Sequence, residues 1–505
     1  MSPTLITGRP WRVILAFTVP LLLGNIVQQL YQFADSLVVG RHLGVDALAA
    51  VGATGGLVFL LLGFAQGVTN GFAIPTAQAF GAGDERAIRR SVAAGTGLTA
   101  LVSIVLTVAA PLLSHAMLTA LRTPTELIDQ ATIFAQVTFL GSAALMFFNY
   151  LSAIIRAIGD SRTPLVFLTI ACVLNVVFVV FFVMGLDMGV AGAAFATVLA
   201  QALSVAMCLG YILWRLPLLH LRRDDWRALG TEISAALRLG LPMGFQASII
   251  AIGALTVQVA LNSLGTSAVA AYTAASRVDG LSVAFLMSLS LASSMYAAQN
   301  LGARRPDRIR RGVKEALWMA LAASIVLGVL MIAFGAPVVR LFVGDGPDEV
   351  VSLAWRMLFV NGVSYWALGV LFVLRGTLQG IGYTLVPTVA GVIELAMRAI
   401  AAIVLGSLLG FVGVALSNPL AWLGAAVMLV PSWLRARTSL DDLPVAPVRM
   451  TETTAIRLAP DAEHPPITDT IPIIGVSASP MTGAVPVETV LTRTIRNRSW
   501  LKRRR

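Results

Sequence analysis

The stretch LGVDALAAVGA at residues 43–53 recurs as LGTSAVAAYTA at residues 264–274. With that spacing kept, Gln78 falls on Gln299. The same register aligns IRR at 88–90 with IRR at 309–311, GVAGAAFA at 189–196 with GFVGVALS at 410–417, and, after a shift of two residues, RAIGDSRTP at 156–164 with QGIGYTLVP at 379–387. Similarity at a fixed period marks an internal repeat. A register shared across most of each half predicts a chain built from two related halves.

The composition indicates a membrane protein. Of the 505 residues, 57% are hydrophobic and only 12% are charged, and the mean hydropathy is +0.84. A soluble domain would need far more charge on its surface. Apolar runs of about 20 residues, enough to cross a bilayer as helices, recur along most of the chain. They are too long and too uniformly apolar for barrel strands, so we predict an all-α polytopic membrane protein.

Window length predicts about twelve spans. Their approximate bounds are 13–39, 47–75, 91–113, 131–155, 163–184, 190–214, 237–263, 268–297, 312–339, 350–374, 385–405 and 410–434. Six spans per half is an even number, so both halves insert with the same orientation. We therefore expect two six-helix bundles related by a pseudo-two-fold axis along the membrane normal, an arrangement that places a transport site between them.

This layout divides the chain into four expected regions. They are an N-terminal six-helix bundle (1–215), a cytoplasmic linker (216–236), a C-terminal six-helix bundle (237–435) and a cytoplasmic tail (436–505). The tail is rich in Ser, Thr and Pro and has no apolar run of span length. Such a segment buries too little apolar surface to fold alone, so we expect it to be disordered.

The net charge of +11 is concentrated in alternate loops. The basic loops follow spans two, four, six and eight and carry Arg86, Arg89, Arg90, Arg156, Arg162, Arg215, Arg222, Arg223, Arg227, Arg238, Arg304, Arg305, Arg308, Arg310, Arg311 and Lys314. Cytoplasmic loops of membrane proteins carry an excess of Lys and Arg. We therefore expect a multi-pass plasma-membrane protein with both termini in the cytoplasm, whose basic charge reports orientation and not nucleic-acid binding.

The first span carries a polar stripe. Asn25, Gln28, Gln32 and Asp35 recur at intervals of three or four residues, which places them on one helix face. Amides cannot face lipid, so this face meets a cavity or other helices. A charged acid at a helix centre costs about 2.5–3.5 kcal/mol, and a carboxyl avoids this by taking up a proton. Asp35 is thus a candidate proton carrier; the alternative is that it pairs with a polar neighbour to fix packing.

Three features together resemble the multidrug and toxic compound extrusion (MATE) family of efflux transporters. They are the layout of six plus six spans, the Asp-containing stretch closing on GRHLGVDALAA at 40–50, and the loop QAFGAGDERAIRR at 78–90. The resemblance covers about residues 10–435. It implies a secondary active antiporter that exports organic, often cationic, compounds by alternating access, driven by an inward proton or sodium gradient.

The resemblance also implies a branch and a cation site. A key acid on the first helix, without acids within spans seven and ten, is similar to the DinF-like branch rather than the NorM-like one. The family's N-terminal cation site adds an Asn and an acid on the fifth helix and a Thr on the sixth. Asn175 and Thr197 match the Asn and the Thr, but Val179 stands where the acid is expected. One acid favours protons over sodium, since a bound cation needs several oxygens.

Two further roles remain open in the helices. Pro20 removes a backbone hydrogen bond from the first helix and allows a bend there, which the family resemblance associates with a first-helix proline. Asn175 and Thr197 can equally be polar groups that pack helices together. In the second half, Glu394 and Arg398 are four residues apart and can pair on one face. Charge neutralisation within the bundle and contact with a cationic substrate are both consistent with that pair.

A cavity for flat organic cations needs aromatic, Met and polar surface. Candidate residues for it are Asn25, Gln28, Gln32, Gln136, Asn149, Tyr150, Tyr272, Met287 and Glu394. Each can instead face lipid or pack inside a bundle. The expected partners are small organic compounds, protons or sodium, and the lipid bilayer, with no nucleic acid, and the chain is expected to act as a monomer.

Other function classes find little support. The sequence has no G-x-x-x-x-G-K-[ST] loop, so ATP is not expected as the direct energy source. Cys172 and Cys208 lie in apolar runs and suggest neither a disulfide nor a metal site. No clustered nucleophile, base or metal ligands are found, so we expect no enzyme, catalytic residue or cofactor. Two rival readings remain: a sodium-coupled antiporter, and a lipid-linked oligosaccharide flippase of the same superfamily, for which Arg277, Arg356 and Arg398 could supply positive charge.

Overall fold

The computed structural model describes residues 5–121, 123–227, 229–344 and 347–440. Throughout these residues the chain forms helices and no strand. The α-helices are α1 (Pro10–His42), α2 (Val45–Ala82), α3 (Glu85–Ala120), α4 (Thr125–Leu140), α5 (Ser142–Ala157), α6 (Arg162–Val179), α7 (Gly189–Arg215), α8 (Gly230–Asn262), α9 (Thr266–Gly302), α10 (Pro306–Val343), α11 (Asp348–Gly380), α12 (Leu385–Leu409) and α13 (Phe411–Ser439). A short π-helix (Val180–Gly185) continues α6, and the predicted tail lies outside the described residues from 441 onward.

The predicted all-α membrane fold is confirmed. Among the described residues, eleven helices are long and apolar enough to cross a membrane. The fourth predicted span (131–155) is divided into α4 and α5, which meet at a bend of 45° and together supply the remaining span. Gly141 lies at this break, and a Cβ added to it would lie 2.2 Å from the Val198 Cγ2. The absence of a side chain therefore lets the broken span press against α7.

The loop after α2 is fixed by local capping. Gly83 ends α2 with a left-handed backbone (φ 71°), a conformation that glycine adopts without strain. Asp84 then caps α3 by accepting a hydrogen bond from the backbone N–H of Ala87 at 2.9 Å. A carboxylate is favourable at a helix N-terminus because it satisfies a free N–H and the helix dipole. The GAGDERA sequence thus explains the sharp reversal between two long helices.

The helices form two lobes that pack through small residues. Where α2 crosses α8, a Cβ on Gly71 would lie 2.4 Å from the Gly240 Cα, and a Cβ on Gly67 would lie 2.8 Å from the Gly244 Cα. Apolar side chains gain little from leaving lipid, so close backbone approach supplies much of the packing between membrane helices. Larger side chains at these glycines would separate the lobes.

The lobes also meet at the end of the molecule where α2 and α9 terminate and where Arg86 and Arg308 lie, here called the basic end. Two glycines that the repeat aligns are both in contact there. A Cβ on Gly81 would lie 1.9 Å from the Gln299 carbonyl oxygen, and a Cβ on Gly302 would lie 1.8 Å from the Gln78 carbonyl oxygen. The repeat seen in the sequence therefore produces a symmetric seam between the lobes.

Each lobe is also held by residues at, or just before, the start of the first helix of the other lobe. The Arg308 guanidinium on α10 donates to the carbonyl of Gly8 at 2.9 Å and to that of Thr7 at 3.2 Å. On the other side, Arg90 of α3 pairs with Glu232 at the start of α8 at 2.6 Å. These reciprocal contacts tie the two lobes together at the basic end.

Candidate functional site

The three residues predicted for the cation site come together where α1, α6 and α7 meet. The Thr197 hydroxyl lies 3.3 Å from Asp35 Oδ2 and 3.2 Å from the carbonyl oxygen of Ala193, so it can donate to either acceptor. The Asn175 amide donates to Thr197 Oγ1 at 3.3 Å. Asn175 is completely buried. The Thr197 hydroxyl therefore links the Asp35 carboxyl on α1 to the Asn175 amide on α6.

Three oxygen atoms in this cluster are left without a partner. Asp35 Oδ1, Asn175 Oδ1 and the Tyr31 hydroxyl are all buried, and none has a hydrogen-bond partner among the described residues. Buried polar groups are normally paired, and the exceptions often have a function. Tyr31 was missed by the sequence reasoning, although it stands one helical turn before Asp35. The arrangement can take up a proton, a small cation or a water molecule.

Val179, at the position where the family resemblance places a second acid, has apolar surroundings. Val179 is fully buried and packs in an apolar cluster with Val39 and Ala193. No ion pair within the described part of the chain includes Asp35. No positive side chain of the described residues therefore compensates the charge of the Asp35 carboxylate, which leaves that role to a proton or an added cation.

The polar stripe of α1 is divided between two surroundings. Asn25 donates to the Ser288 hydroxyl of α9 at 3.0 Å and so contacts the other lobe, whereas Asp35 faces α7. Gln28 is partly buried and Gln32 is exposed. Pro20 is buried inside α1, which continues through it without a break. The stripe therefore joins the N-terminal acid to the surface between the lobes.

The second lobe contains a buried acid, Asp279, that has no cationic partner among the described residues. Asp279 on α9 accepts hydrogen bonds from the Tyr365 hydroxyl and, at 3.3 Å, from the Asn361 amide, both on α11. Asp279 is 8% exposed. Arg277, two residues earlier on the same helix, is exposed. The two charged residues of span eight therefore face different surroundings, as expected for residues two apart on a helix.

Glu394 lies in a buried ion cluster. It accepts from Arg398, one turn later on α12, at 2.9 Å, and from Arg375 on α11 at 2.7 Å. The pairing of Glu394 with Arg398 was predicted from their spacing, but Arg375 was not. Arg375 was overlooked because the predicted span ended at residue 374, which placed Arg375 outside the membrane helix, whereas α11 extends to Gly380. Glu394 is therefore neutralised within the lobe in this conformation.

The remaining cavity candidates are dispersed. Tyr150 is completely buried and donates its hydroxyl proton to the Val92 carbonyl oxygen at 2.9 Å. The Asn149 amide donates to the Leu145 carbonyl oxygen of its own helix at 2.9 Å. The other three are Gln136, whose amide lies 3.5 Å from the Pro111 carbonyl oxygen, Tyr272, which is partly buried, and Met287, which is 51% exposed. The structure does not bring these five residues into one cluster.

A metal centre has no support in the described residues, where no group of three His, Cys, Asp or Glu side chains is placed to hold an ion. Cys172 and Cys208 are free thiols. The chemistry available at the Asp35 cluster is therefore that of a single carboxyl with hydroxyl and amide neighbours.

Known proteins resemble the chain over most of its length. The MatE family model matches residues 20–181 and 242–404. "Probable multidrug resistance protein YpnP" of Bacillus subtilis is 30% identical over 393 residues, covering 77% of this chain and 86% of that protein. "Probable multidrug resistance protein YoeA" of the same organism is 29% identical over 389 residues, covering 76% and 84%. A solved structure of the outward-facing conformation of a multidrug resistance MATE family transporter of the MOP superfamily superposes with a TM-score of 0.81 at 21% identity, covering 87% of this chain and 98% of that one.

Proposed function

The chain belongs to the MATE family of multidrug transporters, and from that premise we propose that it exports organic compounds as a proton-driven antiporter. The Asp35 cluster is the observation that supports this proposal most directly. Its carboxyl is partly buried in the first lobe, it lacks a cationic partner among the described residues, and one of its oxygens is unpaired. An acid in such a site can bind a proton in one conformation and release it in another, where water reaches it.

Protons are favoured over sodium because the cluster offers a single acid. A sodium ion needs several oxygen ligands and compensation of its charge. The cluster has unpaired oxygens on Tyr31, Asp35 and Asn175, but Val179 supplies neither an oxygen nor a charge. In the same proposal, Asn175 and Thr197 hold the Asp35 carboxyl in place, and Pro20 is the point at which α1 bends. We also propose that the chain belongs to the DinF-like branch, because its key acid lies on the first helix and predicted spans seven and ten contain no acid.

Alternating access requires the lobes to separate at one end at a time. The positive-inside rule assigns the basic end to the cytoplasm, with both termini there and the protein in the plasma membrane. The contacts of Gly81 and Gly302 then hold the cytoplasmic side closed in the present conformation. Residues 1–215 and 237–435 act as the moving lobes, residues 216–236 connect them, and one chain is sufficient for transport.

The flippase alternative requires fixed positive charge for a pyrophosphate group. Arg398 is poorly suited to supply it, since its charge is paired with Glu394 inside the lobe. Arg277 and Arg356 are exposed. These two arginines keep an acidic substrate group compatible with the fold, but they do not require a lipid carrier.

Transport in proteoliposomes tests the proposal. An imposed pH gradient should drive ethidium uptake by the wild-type protein, and Asp35→Asn should abolish it at equal reconstitution. Asp46→Asn is a matched control, because Asp46 is an exposed acid in the first turn of α2. Uptake driven by a sodium gradient alone would assign sodium as the coupling ion. Full transport by Asp35→Asn under a pH gradient would show that Asp35 has a packing role only.

A further inference from the structure

Arg277 on α9 is a charged residue without a partner. It is exposed, and no hydrogen bond or ion pair joins it to another residue of the described chain. It nevertheless lies inside the membrane-spanning helix Thr266–Gly302. An arginine in contact with lipid tails is costly, so arginines within spans face a water-filled cavity or a polar partner. The direction of the Arg277 side chain therefore decides whether it meets lipid or the surface between the lobes.

Two neighbours on α9 define that direction. Ser288 accepts a hydrogen bond from Asn25 of α1, and a Cβ added to Gly280 would lie 3.7 Å from the Gln29 Nε2. Both positions face α1. At about 100° per residue, Ser288 is rotated from Arg277 by about 20° in one sense and Gly280 by about 60° in the other. Arg277 therefore points between two directions that face α1, which is toward the other lobe and away from lipid.

The residues of α1 on the face toward Arg277 are amides. The two helices run antiparallel here: Asn25 contacts Ser288, and Gln29, later on α1, lies near Gly280, earlier on α9. One turn further on α1 stands Gln32, and one turn earlier on α9 stands Arg277. Gln32 is rotated from Asn25 by about 20° and shares its face. Gln32 and Gln29 are both exposed.

The result is a polar strip between the lobes that is rich in hydrogen-bond donors. Gly280 leaves space beside the Gln29 amide because it has no side chain, and the Asn25–Ser288 hydrogen bond closes one end. A guanidinium presents five donors in a planar fork that matches a carboxylate or a phosphate. The one nearby acid on α9, Asp279, faces away toward Tyr365 on α11.

We propose that Arg277, with the amides of Gln29 and Gln32, binds an acidic group, a carboxylate or a phosphate, on the compound that is transported. This inference rests on the proposed transport function and adds to it a preference for substrates that carry an acidic group, zwitterions included. Simple organic cations such as ethidium lack that group, so their binding is expected not to depend on Arg277.

Two dyes that differ in one group test the proposal. Rhodamine 110 carries a free carboxylate, and rhodamine 123 is its methyl ester, so binding to the purified protein can be compared by fluorescence anisotropy at pH 7.5. The wild-type protein should bind rhodamine 110 about tenfold more tightly than rhodamine 123, the size expected for hydrogen bonds to a charged group. Arg277→Gln should bring the ratio of the two dissociation constants close to one by weakening rhodamine 110 alone.

Two variants serve as controls. Arg277→Lys should give an intermediate ratio, because an ammonium keeps the charge but loses the planar fork. Arg435→Gln should keep the wild-type ratio, since it removes an exposed arginine near the C-terminal end of α13 in the same lobe. The proposal is overturned if Arg277→Gln leaves the ratio unchanged or weakens both dyes equally.

Competition distinguishes the source of the acidic group. If farnesyl pyrophosphate displaces rhodamine 110 at lower concentration than benzoate does, the group is a prenyl-linked phosphate; the reverse order assigns a carboxylate. In either case, displacement of rhodamine 110 must depend on Arg277. If the competitors displace rhodamine 110 from Arg277→Gln as well as they do from the wild-type protein, the proposal is contradicted. Ethidium transport without any preference for rhodamine 110 would leave the transport function standing and overturn this inference. If ethidium is not transported and neither dye binds, both proposals fail.

Discussion

Gln78 and Gln299, which the internal repeat aligns, make matching hydrogen bonds across the molecule. Gln78 Nε2 donates to the Gly380 carbonyl oxygen at 3.0 Å, and Gln299 Nε2 donates to the Ala157 carbonyl oxygen at 2.7 Å. Gly380 and Ala157 also occupy aligned positions, at the ends of α11 and α5. Each lobe therefore uses the same amide to satisfy the last turn of a helix in the other lobe, where carbonyl groups lack partners within the helix.

Gly302→Ala should destabilise this seam. The added Cβ would lie 1.8 Å from the Gln78 carbonyl oxygen, and backbone on both sides leaves little room to adjust. Overpacking of this kind typically costs about 1–3 kcal/mol, so the midpoint of thermal unfolding in detergent should fall. Gly210→Ala is the matched control, because a Cβ at Gly210 meets no atom within 4 Å. An unchanged midpoint for Gly302→Ala would show that the lobes separate freely at the basic end.

Glu394→Gln should be more harmful than Arg398→Met. The first change leaves Arg375 and Arg398 buried without a counter-ion, whereas the second leaves a neutral pair of Glu394 and Arg375. Removing one partner of a buried ion pair typically costs about 3–5 kcal/mol, because a charge stays buried without compensation. Thermal unfolding of the two purified variants gives the order directly. A smaller loss for Glu394→Gln would indicate that Glu394 is protonated in the folded protein.

Val179→Asp should make transport responsive to sodium. It adds a carboxylate one turn after Asn175, at the position where the family resemblance places a second acid. With two acids and the unpaired oxygens of Asp35 and Asn175, the cluster gains the ligands and negative charge that a sodium ion needs. Substrate uptake measured in sodium and in choline buffers should then differ.

Val183→Asp provides the control for this change. Val183 is equally buried and lies in the same apolar cluster, but it is one turn further from Asn175. Both substitutions carry a similar cost of burying a carboxyl. Sodium stimulation shared by both variants, or seen in neither, would contradict the assignment of the cation site.

Arg308→Ala should release the segment that precedes α1. The guanidinium donates to the carbonyls of Leu5, Thr7 and Gly8, so its loss removes three hydrogen bonds to the segment, together with the bond to Asn300 Oδ1 that holds the guanidinium against α9. Hydrogen bonds to charged groups contribute about 1.5–3 kcal/mol, which predicts amide exchange in residues 5–9 about tenfold faster or more. Hydrogen–deuterium exchange measures this. Arg304→Ala is the control. Arg304 is exposed and lies in the loop just before α10, so its replacement should leave the exchange unaltered.

Hydropathy was sufficient to place the spans because a bilayer sets a length and excludes unpaired backbone groups. The hydropathy pattern did not, however, predict that the fourth span is divided into two helices at Gly141. The helix α4 ends there because α7 presses Val198 against a position without a side chain. That break depends on a neighbour from another part of the chain, which a window along the sequence does not contain.

The sequence by itself determined the apolar spans, the two aligned halves and the positions of Asp35, Asn175 and Thr197. The spans, the halves and Asp35 follow from composition and periodicity, whereas Asn175 and Thr197 follow from the resemblance of the sequence to the family. The tertiary structure alone decided that Thr197 joins Asp35 to Asn175, that Arg375 shares Glu394 with Arg398, and that Arg277 has no partner in the part of the chain that the structure describes. Contacts between helices depend on how the helices are rotated and crossed, and residues far apart in sequence meet only when packing fixes both.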